Sequence, residues 1–311
     1  MKISIKKPLI LYFFLALGIT WLFWIPTILI SLDNGYFLPS ILTFNQLITE
    51  GFVDDLHPII FTLNQIGVYG PLLAALIMLS LDERKESVKD LLQRMRNVNV
   101  QIKWYGIIIL LPLVIFFLGT LLSFADLSNL FNPGMSAFLV FVMFLNTTLT
   151  SGLEEPGWRG FALPELQKSY NANKSSLILG LFWAIWHFPY LLYLYLTQLN
   201  FGLYLSILSL IGFTASTMGI SIIYTWIYNN TKSVFLMILF HGLLNFIPQI
   251  MLGGVTDSAG GVFTALVTWA VAIILTKKYG EETLMGLTEG EIKVKDEKKR
   301  LKAEKKAKKA N

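Results

Sequence analysis

Of the 311 residues, 54% are hydrophobic and 14% are charged, with a mean hydropathy of +0.60. Soluble domains carry about 25% charged residues, so a water-soluble globular fold is excluded and the chain reads as an all-α, polytopic membrane protein. The absence of cysteine removes thiol catalysis, disulfides, thiolate metal sites and lipidation at a C-terminal cysteine. The net charge of +5 reads as attraction to anionic lipid headgroups, with no nucleic-acid partner.

A bilayer core takes about 20 helical residues. Apolar runs of that length fall at roughly 9–31, 58–81, 104–124, 136–155, 175–197, 204–228, 233–251 and 261–276, which predicts eight transmembrane helices. The first is too long for a signal-peptide core and no small-residue cleavage site follows it, so it is expected to be a retained anchor flanked by Lys6 and Lys7. Between the second and third runs, DERKESVKDLLQRMRN places Val88, Leu91, Leu92 and Met95 at i, i+3, i+4 and i+7, the pattern of an interfacial amphipathic helix. The body is assigned residues 1–278; residues 279–311 form a charged, basic tail expected to be solvated near the headgroups.

Charge predicts orientation. If the N-terminus is cytoplasmic, the loops near 32–57, 125–135, 198–203 and 252–260 lie outside. They contain Asp33, Glu50, Asp54, Asp55, Asp126 and Asp257 but no Lys or Arg. Positive residues favour the cytoplasmic side, so both termini are expected there, in the cell membrane. His57 falls in an outer loop and is expected at the surface. The aromatic runs FFLALGITWLFW and YLLYLYL are expected to face lipid or form interfacial belts, with a prenyl groove as the other reading.

Few ionisable groups remain inside the predicted spans: Glu154 and Glu155 on the fourth, His187 on the fifth and His241 on the seventh. Such residues cost several kcal/mol in lipid by insertion scales, about 2.5–3.5 for an acid at the helix centre, so they mark functional sites. At 1.5 Å per residue, Glu154, His187 and His241 lie about 12–18 Å from the cytoplasmic helix ends, at one level and reached from that side. Glu155 and Arg159, His241 and Asn245, and Trp183 and His187 are each four apart, on one helical face. Pro156 disfavours helical geometry at Glu155, and Pro164 is expected to end the helix.

The chemistry these groups support is hydrolysis by activated water. Glu154 serves as base with a histidine orienting the water, and His241 and Asn245 donate to an oxyanion. Alternatively, Glu154, His187 and His241 hold Zn²⁺, which activates the water.

EEPGWRG resembles the E-E-x-x-x-R motif, WAIWH the F-x-x-x-H motif and HGLLN the H-x-x-x-N motif of the CAAX prenyl endopeptidase type II family, the CPBP or ABI intramembrane proteases. The resemblance is nearest to prokaryotic, archaeal-like homologues of the Ras-converting CAAX endopeptidase and spans the eight-helix body, although the motifs cover only residues 154–245. It implies removal of the last three residues of a prenylated C-terminal CaaX sequence. Glu154 and His187 would activate water, His241 and Asn245 would form the oxyanion hole, and Glu155 and Arg159 would support the site. Trp183 stands where the motif has Phe, keeping a ring, and Pro156 lies within the first motif. The partners implied are prenylated CaaX proteins or peptides and membrane lipids; the oligomeric state is left open. A non-proteolytic, partner-binding family member is the alternative. A transporter is less well supported, because the first three spans carry no matching intramembrane charges.

Overall fold

The computed structural model describes residues 7–40, 43–81, 86–123, 136–252 and 258–286. Among them every regular element is helical. Seven helices are long and apolar enough to cross a bilayer, and a bent pair makes up to eight spans. In chain order, α1 (Lys7–Asn34) leads through the short α2 (Thr43–Glu50) to α3 (His57–Gly67) and α4 (Gly70–Leu81). The α3–α4 pair is the span predicted at 58–81, bent by 49°. Then come the amphipathic α5 (Glu86–Met95), α6 (Ile102–Leu122), α7 (Ala137–Leu149) and its continuation described below, α10 (Ala172–Tyr193), α11 (Gly202–Thr231), α12 (Val234–Leu252) and α13 (Ser258–Tyr279). The predicted tail beyond residue 286 lies outside the described residues, as do Asp126 and Asp257.

The span after α7 is where the structure departs most from a regular helix. A 3-10 turn (Ser151–Glu154), a three-residue α turn, α8 (Glu155–Gly157), a π turn (Trp158–Ala162) and α9 (Leu163–Gln167) follow without interruption. The helix therefore passes Pro164, contrary to expectation. Pro164 occupies the first turn of α9, where a missing N–H is tolerated. Glu155 also keeps right-handed helical angles, φ −65° and ψ −32°, although a proline follows it. Its neighbours hold it there: a Cβ on Gly157 would lie 2.3 Å from the Pro71 carbonyl oxygen, so α4 seats directly on this backbone.

Polar bonds tie α1, α3 and α10 together at mid-depth. Trp186 Nε1 donates to Thr20 Oγ1 (2.7 Å), Thr20 donates to the Gly67 carbonyl (2.8 Å), and Trp24 Nε1 donates to the Asn64 carbonyl (2.9 Å). In an apolar medium such bonds replace the hydrophobic drive between helices. A Cβ on Gly70 would meet Thr20 Oγ1 at 2.0 Å, so glycine lets α4 begin against α1, at the bend.

The bundle has two unlike ends. Lys89, Arg94, Arg96, Lys103, Lys168, Lys174, Lys232, Lys277 and Lys278 gather at the end that also carries Lys7. There α5 is seated on protein, with Leu91 fully buried and Arg94 donating to the Gly160 carbonyl (2.8 Å) and to Tyr228 Oη (2.7 Å). The chain leaving α13 packs here as well: Ala172 and Asn173 donate to the Glu282 and Glu281 carbonyls, and Leu284 is buried.

The opposite end carries Asp33, Glu50, Asp54 and Asp55. His57 lies here but is fully buried, which corrects the surface assignment. Val53 N–H donates to its Nδ1 (3.1 Å), its Nε2 donates to the Phe37 carbonyl (2.7 Å), and its ring stacks on Tyr36 at 4.6 Å. Tyr36 donates to Asp54 (2.6 Å), which raises the Tyr36 hydroxyl to about 12 and holds the Asp54 carboxyl below its ordinary range. The rim around α2 is therefore a pinned loop.

Candidate active site

Trp183 is the centre of the arrangement. Its indole N–H donates to Glu154 Oε2 at 3.0 Å, and its ring lies 5.9 Å from His187 and 5.3 Å, edge-on, from His241. The Arg159 guanidinium sits 4.4 Å from the same ring and 3.9 Å from Tyr224. One side chain on α10 thus touches all three motif-bearing helices. Trp158, four residues after Glu154, supplies a second indole N–H to Oε2 at 3.3 Å. Both donors engage the same oxygen, which leaves Oε1 for other partners. The sequence reading passed over Trp158, though its i+4 spacing from Glu154 repeats that of Glu155 and Arg159.

Glu155 points into protein. It forms a fully buried pair with Arg159 Nη1 (2.8 and 3.0 Å) and accepts from His241 Nδ1 (2.9 Å). A carboxylate can only accept here, so the His241 hydrogen is on Nδ1 and Nε2 is its remaining nitrogen. Arg159 Nη2 also reaches Ser221 Oγ at 3.5 Å. On α10, His187 Nδ1 donates to the Trp183 carbonyl at 2.7 Å, which fixes its tautomer and leaves Nε2 with a lone pair. Phe213 and Trp186 hold the imidazole edge-to-face at 5.1 and 4.5 Å.

Glu154, His187 and Asn245 line one cavity of about 600 Å³. His241 is buried behind it, 3% exposed. Tyr190, Leu191, Leu194 and Tyr195 from YLLYLYL also line it, as does Trp24. For these residues the cavity departs from the lipid-facing reading and agrees with the other one, a groove. In FFLALGITWLFW the exposure is mixed: Phe14 is exposed whereas Phe13 and Trp24 are buried.

The lining of the cavity has a direction. Beyond Glu154 its walls are Ser151, Thr150 and Asn146 on one side and Asn245, Pro248 and Gln249 on the other, then Pro39 and Leu47. All lead toward the acidic end. On the basic side of Glu154 lie Glu155, Trp158 and Arg159, each fully buried, and beneath them the docked Leu91. The lining thus runs from Glu154 toward the acidic end, while the residues between Glu154 and the basic end are buried.

Among the described residues no three His, Asp or Glu side chains are grouped so as to hold a metal ion. Trp183 and Glu155 take the Nδ1 hydrogens of His187 and His241, which leaves both Nε2 atoms as nitrogen ligands, but these nitrogens are not grouped with Glu154 about one point. The expected zinc set, Glu154, His187 and His241, does not fit this arrangement.

The model of the Rce1-like family, type II CAAX prenyl endopeptidases, matches residues 134–247, from the start of α7 to the middle of α12. Among curated proteins, CAAX prenyl protease 2 of Methanococcus maripaludis is 30% identical over 227 residues, covering 68% of this chain and 80% of the relative. The matched stretch contains Glu154, Glu155, Arg159, His187, His241 and Asn245. A polytopic helical protein with this cavity, this motif order and this relative belongs to the Rce1-like family of type II CAAX prenyl endopeptidases.

Proposed function

We propose that the protein removes the C-terminal tripeptide of prenylated CaaX substrates by general-base hydrolysis within the membrane. One observation carries this reading: a carboxylate, Glu154, is anchored through one oxygen by two indoles at the floor of a cavity that also presents His187 and Asn245. Glu154 Oε1 takes a proton from water while His187 Nε2 accepts the water's other hydrogen and aims it. The water oxygen adds to the carbonyl of the prenylated cysteine. The Asn245 amide donates to the oxyanion, and His241, whose Nδ1 hydrogen goes to Glu155, donates from Nε2 as the imidazolium, each such donor being worth about 3–4 kcal/mol. Collapse breaks the C–N bond, and the proton held by Glu154 passes to the leaving amine. Glu155 and Arg159 position His241 and touch no reacting atom. The protease body runs through α13, followed by the charged tail.

The prenyl chain fits the apolar wall formed by Leu191, Leu194, Phe213 and Leu244. Lipid burial is worth about 0.8 kcal/mol per CH₂, and binding of this kind lowers KM with little change in kcat. Purified protein incubated with a farnesylated CaaX peptide should release the tripeptide, identified by mass spectrometry. The same peptide without the lipid should lose about 10²-fold or more in kcat/KM, chiefly through KM. Equal efficiency for the two would mean that the enzyme reads peptide alone.

For orientation in the cell membrane the charge asymmetry is the strongest guide. It favours a cytoplasmic basic end and cytoplasmic termini, with the cavity mouth on the other face. Labelling of single cysteines in this cysteine-free chain tests it. Lys278→Cys should react only from inside, and Asp55→Cys only from outside. The reverse pattern would put the mouth in the cytoplasm and overturn the charge-based orientation.

A further inference from the structure

A CaaX tail cut after its cysteine has its carboxylate three residues beyond the scissile bond, about 10 Å in an extended chain. With the scissile carbonyl at Glu154 and Asn245, that carboxylate lies in the cavity or at its rim, whichever wall the tripeptide follows. No Lys or Arg lines the cavity among the described residues. None can reach it from elsewhere at that end, because the sequence has no Lys or Arg between Lys7 and Arg84, Lys103 and Arg159, Lys174 and Lys232, or Lys232 and Lys277. Arg159, the nearest cation in sequence, is fully buried and paired with Glu155. The one carboxylate that lines this space among the described residues is Glu154, at the floor, and the charged residues elsewhere at this end, Asp33, Glu50, Asp54 and Asp55, are acidic.

The polar wall is neutral. Asn64, Gln65, Asn146, Thr147, Thr150 and Gln249 line it. Asn146 and Thr150 are four apart on one face, and Gln249 Nε2 donates to the Asn245 carbonyl at 2.9 Å, which leaves its Oε1 as an acceptor. Amides and hydroxyls of this kind match the N–H and C=O groups of a peptide backbone. They do not compensate a carboxylate, whose removal from water without a cation is strongly unfavourable.

We propose that the cavity holds the departing peptide by its backbone through neutral groups and does not read the terminal carboxylate, so that amidated or extended C-termini are also substrates. This rests on the proteolytic reading above and specifies its substrate class. The test compares one farnesylated CaaX peptide as the free acid, as the carboxamide, and extended by one glycine. The amide and the extended acid should keep at least a third of the kcat/KM of the free acid, and Asn146→Arg should shift the preference toward the free acid by at least tenfold. A carboxamide cleaved with less than a third of the free acid's efficiency overturns the proposal while leaving the proteolytic reading intact. An unchanged preference in the active Asn146→Arg protein overturns it too, since the tail would then not run along this wall. Failure to cleave any of the three peptides would instead defeat the proteolytic reading. The wild-type comparison stands alone if the variant does not fold.

Discussion

Replacing Glu154 by Gln or Ala is expected to lower turnover of a farnesylated CaaX peptide by at least about 10³-fold, because among the described residues no other carboxylate lines the cavity to act as base. Glu155 cannot substitute, since both its oxygens are engaged by Arg159 and one also by His241. His187→Ala and His241→Ala should be similarly inactive, the first through loss of the Nε2 lone pair that orients water. Asn245→Ala should lose about 10²- to 10³-fold, as expected of one oxyanion donor. Folding should survive in all of them, checked by monodispersity and melting in detergent. Glu154→Gln keeps an acceptor for the two indoles, so it separates chemistry from structure better than Ala does. Turnover above a tenth of wild type in a folded Glu154→Ala protein would move the role of base elsewhere.

Arg159→Ala should have the largest effect on stability. Arg159 and Glu155 are both fully buried, and removing one member of such a pair leaves an uncompensated charge, typically costing about 3–5 kcal/mol. Arg159 also lies between two aromatic faces, so truncation removes cation–π contact with Trp183 and Tyr224 as well. The melting temperature should fall by roughly 6 °C or more. Replacing both members, Glu155→Met with Arg159→Leu, should restore much of the lost stability, because apolar substitutes of similar volume replace buried pairs well. The double variant should still be poorly active, since His241 has lost the acceptor that fixes its ring. Wild-type melting in the single Arg159→Ala variant would mean that the pair contributes nothing net to the fold.

The spans were legible because hydropathy over about 20 residues is a property of the chain alone. The bend in the second span was not, since it depends on Gly70 meeting Thr20 of another helix. The catalytic candidates were legible because an ionisable group inside a span needs a reason to be there. Their second layer was harder to see. Trp158 and Trp183 look like any membrane aromatic until a carboxylate is found within reach of their N–H groups. His57 misled in the opposite direction: a loop position among charges suggested exposure, whereas Tyr36, Phe37, Phe52 and Phe61 enclose the ring. The direction of access was not legible, because depth along a helix is the same counted from either end once a site lies near the middle. Only the packing of Leu91 and Trp158 beneath Glu154 tells which way is closed.

That closed floor has a consequence for turnover. With Trp158, Arg159 and α5 filling the space below Glu154, no exit runs through that end among the described residues, and in the proposed reaction both products return through the cavity the substrate entered. In the proposed reaction the short tripeptide keeps only its hydrogen bonds to the neutral wall once its covalent link is cut. In the same reaction the lipidated remainder would keep the apolar contacts it had before cleavage, depart last and compete with fresh substrate for the same wall. The pace of the proposed cycle would then be set by the exchange of one prenyl chain for another.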